Sequence, residues 1–192
     1  MEIVNYPHPT LRHESKPIRR VDSKLKSIVR EMFELMYEAN GIGLAANQVD
    51  LPFRLFIVNL AANPDEGEEH VFINPVISQP KGNEEREEGC LSLPGLYAPV
   101  KRPARVKFTA YNLDGDELEA DLDGMMARVV QHETDHLDGV LFIDRLSTTH
   151  DMAVRPAIEV FEDDFDRARD KASIPDDDTI AERLRDFEQE YC

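Results

Sequence analysis

The sequence predicts an α+β fold. Short β-branched or alternating runs are separated by turn signals, other segments carry apolar stripes at helical spacing, and no strand-helix-strand run repeats as a parallel sheet would require. The chain has 192 residues, enough to bury a core without a covalent staple. Its 41% hydrophobic and 32% charged residues are a globular balance.

The first helix is expected over residues 23–38, where Leu25, Ile28, Val29, Met32, Phe33 and Met36 follow the three-four alternation of a buried face. Asp22 or Ser23 can cap its start, and Asn40-Gly41 is a typical stop. Strands are expected at residues 54–59 and 71–73. Another follows at 105–111, where Asp114-Gly115 turns the chain into a partner strand at 117–120. Two acidic connectors, residues 63–69 and 81–88, read as solvated loops. A second helix should start near Asp123 and stop at Gly139.

The character changes after Leu146. From His150 to Cys192 there are six Lys or Arg against fourteen Asp or Glu, a net of −8. Ile158, Phe161, Phe165 and Ala168 form one helical stripe. Ile180, Leu184, Phe187 and Tyr191 form a second, opened by a capping box of Thr179 with Glu182, and Pro175 separates the two. The chain therefore divides into a main domain, residues 1–147, and an acidic helical C-terminal extension, residues 148–192, which carries no catalytic residue types in suggestive spacing.

Composition excludes several function classes. A net charge of −17 disfavours binding nucleic acid or anionic lipid through bulk charge, so no specific DNA partner is expected. No apolar run approaches the roughly 18 residues of a membrane span. The opening residues 1–6 lack the basic and apolar regions of a secretion signal. With only two cysteines, Cys90 and Cys192, a reducing cytoplasm is the default location.

The chemistry concentrates in His132-Glu133-Thr134-Asp135-His136. Two imidazoles four apart on a helix share a face and can grip one metal ion, with the intervening Glu placed to serve a water at that ion. At about 100° per residue, Met125, Val129, His132 and His136 share one narrow stripe, with Glu133 beside it and Arg128 on the opposite flank. The histidines thus continue an apolar face, where buried imidazoles need partners.

A hydrolytic site of the zinc type needs a third ligand and an open position. A third histidine six residues on is absent, since Phe142 stands there, although Gly139 fits the intermediate glycine of that pattern. Glu159 and Glu162 are the carboxylates available on a later helix, but they lie on its wetter side. Cys90 is the remaining soft donor, and Gly89 before it lets the backbone approach a site closely. A lone internal cysteine is more often a small buried hydrophobe.

Three segments together resemble the peptide deformylase family: Gly41-Ile42-Gly43-Leu44-Ala45-Ala46-Asn47-Gln48, Glu88-Gly89-Cys90-Leu91-Ser92, and Gln131-His132-Glu133-Thr134-Asp135-His136-Leu137. They complete the family patterns GxGLAAxQ, EGCLS and QHExDHL in order, and the resemblance covers about residues 1–147. It implies antiparallel sheets around a central helix, and a hydrolase that removes the N-formyl group from nascent chains beginning with N-formylmethionine, releasing formate. Cys90, His132 and His136 would be the ligands of one divalent ion, usually Fe2+, with Zn2+, Ni2+ or Co2+ able to substitute. Glu133 would be the general base, with the Gln48 side-chain amide and the Leu91 backbone N–H as oxyanion donors. Ile42, Gly43, Gly89, Met125 and Val129 would line the substrate site, with Arg128 flanking it and Tyr97 in a loop where members vary. Arg102 and Asp135 would pair behind it.

The resemblance also implies a transient ribosome contact, although the −8 extension disfavours phosphate docking and is expected to pack on the body or pair subunits. Competing readings are a zincin-like endopeptidase, a closed structural metal site completed by Cys192 or His13, and a relative that has lost activity.

Overall fold

The computed structural model describes residues 1–192. In chain order, helix α1 (Ser23–Glu38) precedes strands β1 (Gly43–Ala45), β2 (Leu55–Val58), β3 (His70–Lys81), β4 (Glu84–Cys90), β5 (Leu93–Arg102), β6 (Arg105–Tyr111) and β7 (Glu117–Asp123). Helices α2 (Gly124–Leu137), α3 (Thr148–Asp170) and α4 (Asp177–Tyr191) follow. Five strands form one antiparallel sheet in the order β1-β2-β3-β6-β7, and β4 and β5 form a separate hairpin.

Alternation along β2 explains the layering. Leu55 and Ile57 join Leu25, Val29, Met32 and Met36 of α1 in one core cluster. Phe56 and Val58 point the other way and pack with Val106, Phe108, Val129 and Val130 in a second cluster. The sheet is thus sandwiched between α1 and α2, which is why β2 is buried on both faces. The α1 start is capped by Asp22, whose Oδ1 accepts a hydrogen bond from the Leu25 N–H at 2.9 Å.

The hairpin corrects the sequence expectation for residues 81–88. That stretch is not a solvated loop: β3 runs on through Lys81, and β4 pairs with β5 from Glu84↔Arg102 to Gly89↔Tyr97. A two-stranded ribbon keeps Glu85, Arg86 and Glu87 exposed while Glu88 turns inward and is buried. Pro94 and Pro99 of β5 lack an amide donor, which a strand of a two-stranded ribbon tolerates on its unpaired side. The other connector, residues 63–69, is a loop.

The extension lies against the body. Ile158 of α3 is buried with Leu93, Leu96 and Phe142, while Tyr191 of α4 is buried in the α1 cluster with its ring 5.1 Å from that of Phe53. The cap of α4 differs from the expected Thr179–Glu182 box: Asp176 Oδ1 accepts from the Thr179 N–H at 2.8 Å, so the helix begins at Asp177. A carboxylate at that end also meets the positive pole of the helix dipole, which a threonine hydroxyl does not. No helix is long and apolar enough to cross a membrane.

Candidate active site

Helix α2 runs through the interior, and every residue from Ala127 to Leu137 is buried. Five of these are ionisable, and a buried charge is costly unless it is paired or neutralised. Glu88, delivered by β4, is the hub. It accepts from Arg102 Nε at 2.6 Å, Arg102 Nη2 at 2.9 Å and Arg128 Nη1, and it faces His132 Nδ1 at 3.1 Å. Arg102 extends the network to α2 by donating from Nη1 to Asp135 Oδ2 at 2.6 Å, and Arg145 closes on both oxygens of Asp135.

Burial alone would raise the Glu88 carboxyl, but its bonds with His132 and Arg102 outweigh that and hold it at about 2. The Arg102 side chain is 3% exposed and holds the hairpin against α2. Arg102→Met should cost about 3–5 kcal/mol by leaving buried carboxylates short of a counter-charge. Denaturant unfolding of the purified variant measures this directly.

The network presents three donor atoms to one point. Cys90 Sγ lies 3.2 Å from His136 Nε2, which lies 3.3 Å from His132 Nε2, and all three donors are within 4.8 Å of one another. Ligands bound tetrahedrally at about 2.0–2.3 Å stand about 3.3–3.6 Å apart, so the set fits a first-row ion with little adjustment. The Glu88 contact is the kind of carboxylate partner that orients a ligating imidazole.

The electrostatics point the same way. Burial would lower His132, but the neighbouring Cys90, Glu88 and Glu133 hold it up, so the surroundings favour positive charge at this spot. Burial and the neighbouring His132 hold His136 well below its ordinary value.

Glu133 lies between the histidines in sequence, and burial pushes its carboxyl up to about 7. Its Oε2 is buried and has no hydrogen-bond partner. Gln48 sits in the 3-10 turn Ala46–Val49. The Ala45 N–H donates to its Oε1 at 2.9 Å, and its Nε2 faces Ser92 Oγ at 3.2 Å and Cys90 Sγ at 3.4 Å. Asn47 of the same turn donates to the His136 carbonyl.

Strand β1 passes close to Glu133. A Cβ on Gly43 would lie 2.5 Å from Glu133 Oε1 and 3.0 Å from Val129 Cγ1, so only glycine permits the approach. Gly43→Ala should displace the Glu133 carboxylate and lower turnover by about tenfold or more, while the melting temperature shifts little. Paired kinetic and thermal measurements would show whether rate and stability separate.

The remaining candidates differ in exposure. Val129 is buried, Ile42 and Leu91 are half-buried, and Met125 in the first turn of α2 is 43% exposed. Gly89 faces Tyr97 across the hairpin, and the Tyr97 ring occupies the place a Cβ would take. Arg128 does not flank an open pocket: it is buried on Glu88, the Val100 carbonyl and the Glu84 carbonyl. The proposed fourth ligands are elsewhere, with Cys192 against the Lys16 carbonyl and His13 on Glu188. Glu162 accepts instead from the Tyr6 hydroxyl.

Sequence reasoning missed Glu88 and Ser92 as parts of the site. The signal for Glu88 was a charge immediately before Gly-Cys, hidden by the acidic residues around it.

The family model described as polypeptide deformylase matches residues 1–152. The chain belongs to the peptide deformylase family. A peptide deformylase of Rhodopirellula baltica is 50% identical over 191 residues, covering 100% of this chain and 95% of the relative, so that match includes the C-terminal extension. One of Brucella suis is 44% identical over 155 residues, covering 80% of this chain and 89% of the relative. A crystal structure of an Arabidopsis thaliana peptide deformylase superposes with a TM-score of 0.84 at 42% identity, covering 91% of this chain and 96% of that one. As a peptide deformylase, this chain is a metal-dependent hydrolase that removes the N-formyl group from nascent polypeptides.

Proposed function

We propose that Cys90, His132 and His136 of this deformylase hold one divalent ion, and that Glu133, Gln48 and Leu91 act on the formyl group of an N-formylmethionyl peptide. The assignment of Fe2+, with Zn2+, Ni2+ or Co2+ as substitutes, follows the family resemblance and a donor set that suits several first-row ions. A divalent ion held there supplies Lewis acidity, polarising a carbonyl and acidifying water.

What carries the proposal is the Glu133 carboxylate, buried with an unpartnered Oε2 and in sequence between two converging imidazoles. A buried carboxylate beside the attacking water can both accept and return a proton. Glu133 takes a proton from the water that attacks the formyl carbon. It then delivers that proton to the amine nitrogen as the C–N bond breaks, and formate leaves. Gln48 Nε2 and the Leu91 N–H donate to the formyl oxygen as it takes on charge. Ile42, Gly43, Met125 and Val129 accommodate the unbranched methionine side chain, with Gly89 beside the reacting end.

Residues 1–147 form the catalytic domain in this proposal and 148–192 an accessory extension, supported by the docking of the extension's apolar stripes on the body. A transient ribosome contact in the cytoplasm would use surfaces other than the acidic extension. The test is turnover of formyl-Met-Ala-Ser beside its acetylated analogue. Formate release from the first and no reaction of the second is expected. Cleavage of internal bonds, or equal reaction of both peptides, would reject the assignment.

A further inference from the structure

The turn that aims Gln48 ends at Asp50, whose φ of 66° lies in the left-handed region. Asp enters that region more readily than most residues, but it stays there only when its surroundings hold it. Two side chains do so: Thr10 Oγ1 donates to Asp50 Oδ1, and Arg183 Nη2 donates to Oδ2. Arg183 belongs to α4, 133 residues away in sequence.

The turn is held at its other points by backbone and amide contacts. The Val4 N–H donates to the Gln48 carbonyl at 2.8 Å, and the Asp50 N–H donates to the Asn47 carbonyl at 3.2 Å. The Gln48 side chain is oriented by the Ala45 N–H, which leaves Nε2 facing Cys90 and Ser92. Rotation at Asp50 would therefore be passed to Gln48 two residues earlier. Helix α4 is itself seated by buried Ile180, Leu184 and Tyr191, so it can present Arg183 without depending on that ion pair for its own attachment.

We propose that Arg183 is a positioning residue for deformylation: the C-terminal extension, through Arg183 on Asp50, holds the turn that keeps Gln48 Nε2 aimed at the reacting centre. The proposal rests on Gln48 acting as an oxyanion donor. Because the Arg183 and Asp50 side chains are 38% and 20% exposed, the pair adds little to global stability, and its effect is read in the rate.

The test measures kcat, KM, metal content and melting temperature for R183M, R183K, D50N, the double variant R183M/D50N, Q48A and the same-helix control R185M, on formyl-Met-Ala-Ser. Asn is chosen at position 50 because it also tolerates positive φ. R183M should lose about tenfold in kcat, within the loss of up to about 10²-fold that misplacing a reacting group can cause. Its KM, metal content and melting temperature should stay close to wild type. D50N should match it, the double variant should be no slower than D50N, R183K should recover most of the rate, and R185M should be unaffected. Wild-type kcat in R183M, an additive double variant, or a loss confined to KM would overturn the proposal. If Q48A falls by about 10²–10³-fold while R183M does not, only the role of Arg183 is rejected. Wild-type kcat in Q48A would reject the Gln48 assignment and this proposal with it.

Discussion

Glu133→Ala is expected to keep the fold and the metal content while turnover falls by about 10²–10⁴-fold, the range for a positioned proton carrier. The carboxylate packs beneath Gly43 and its Oε2 has no protein partner, so its removal leaves no hydrogen bond of the surrounding structure unmade at that atom. The histidines and Cys90 are held by other contacts, chiefly Glu88 on His132 Nδ1 and Asn47 on the His136 carbonyl. Single-turnover kinetics on a metal-replete preparation check the effect, and wild-type turnover would reject the proton role.

Cys90→Ala should act differently. It removes one of three donors, and no other His, Cys, Asp or Glu joins that cluster to replace it. The purified variant is expected to lose stoichiometric metal and with it all measurable deformylation, while the sheet and α1 remain folded. Metal analysis of the variant after supply of Ni2+ or Co2+ decides the outcome. Full occupancy would show that the sulfur is not a ligand.

The parts of the fold that were legible in the sequence are those whose burial follows a simple period. Helix α1 could be read from its stripe and cap, and β2 and β6 from β-branched or alternating residues. The β4–β5 hairpin could not, because its inward residues are set among glutamates, glycines and prolines that elsewhere mark wet loops.

The site shows the same division. Spacing alone put His132 and His136 on one face, whereas Cys90 was offered as the remaining soft donor and tied to them by the ordered motif set. Glu88 was unreadable because a buried carboxylate and an exposed one look alike until their partners are known, and here Arg102 and Arg128 lie 14 and 40 residues away. Arg183 and Asp50 are a still more distant case, joined only when the C-terminal helix folds back on the N-terminal half.

The hairpin that carries Cys90 shares no ladder with the five-stranded sheet and is fastened to its neighbours mainly by side chains, with one backbone bond from the Tyr6 N–H to the Ser92 carbonyl. Its amide protons should therefore trade with deuterated solvent through local breathing, while those of β2 and the inner part of β3 wait for the whole molecule to open. Of the three donor atoms, the sulfur thus sits on the more yielding mount.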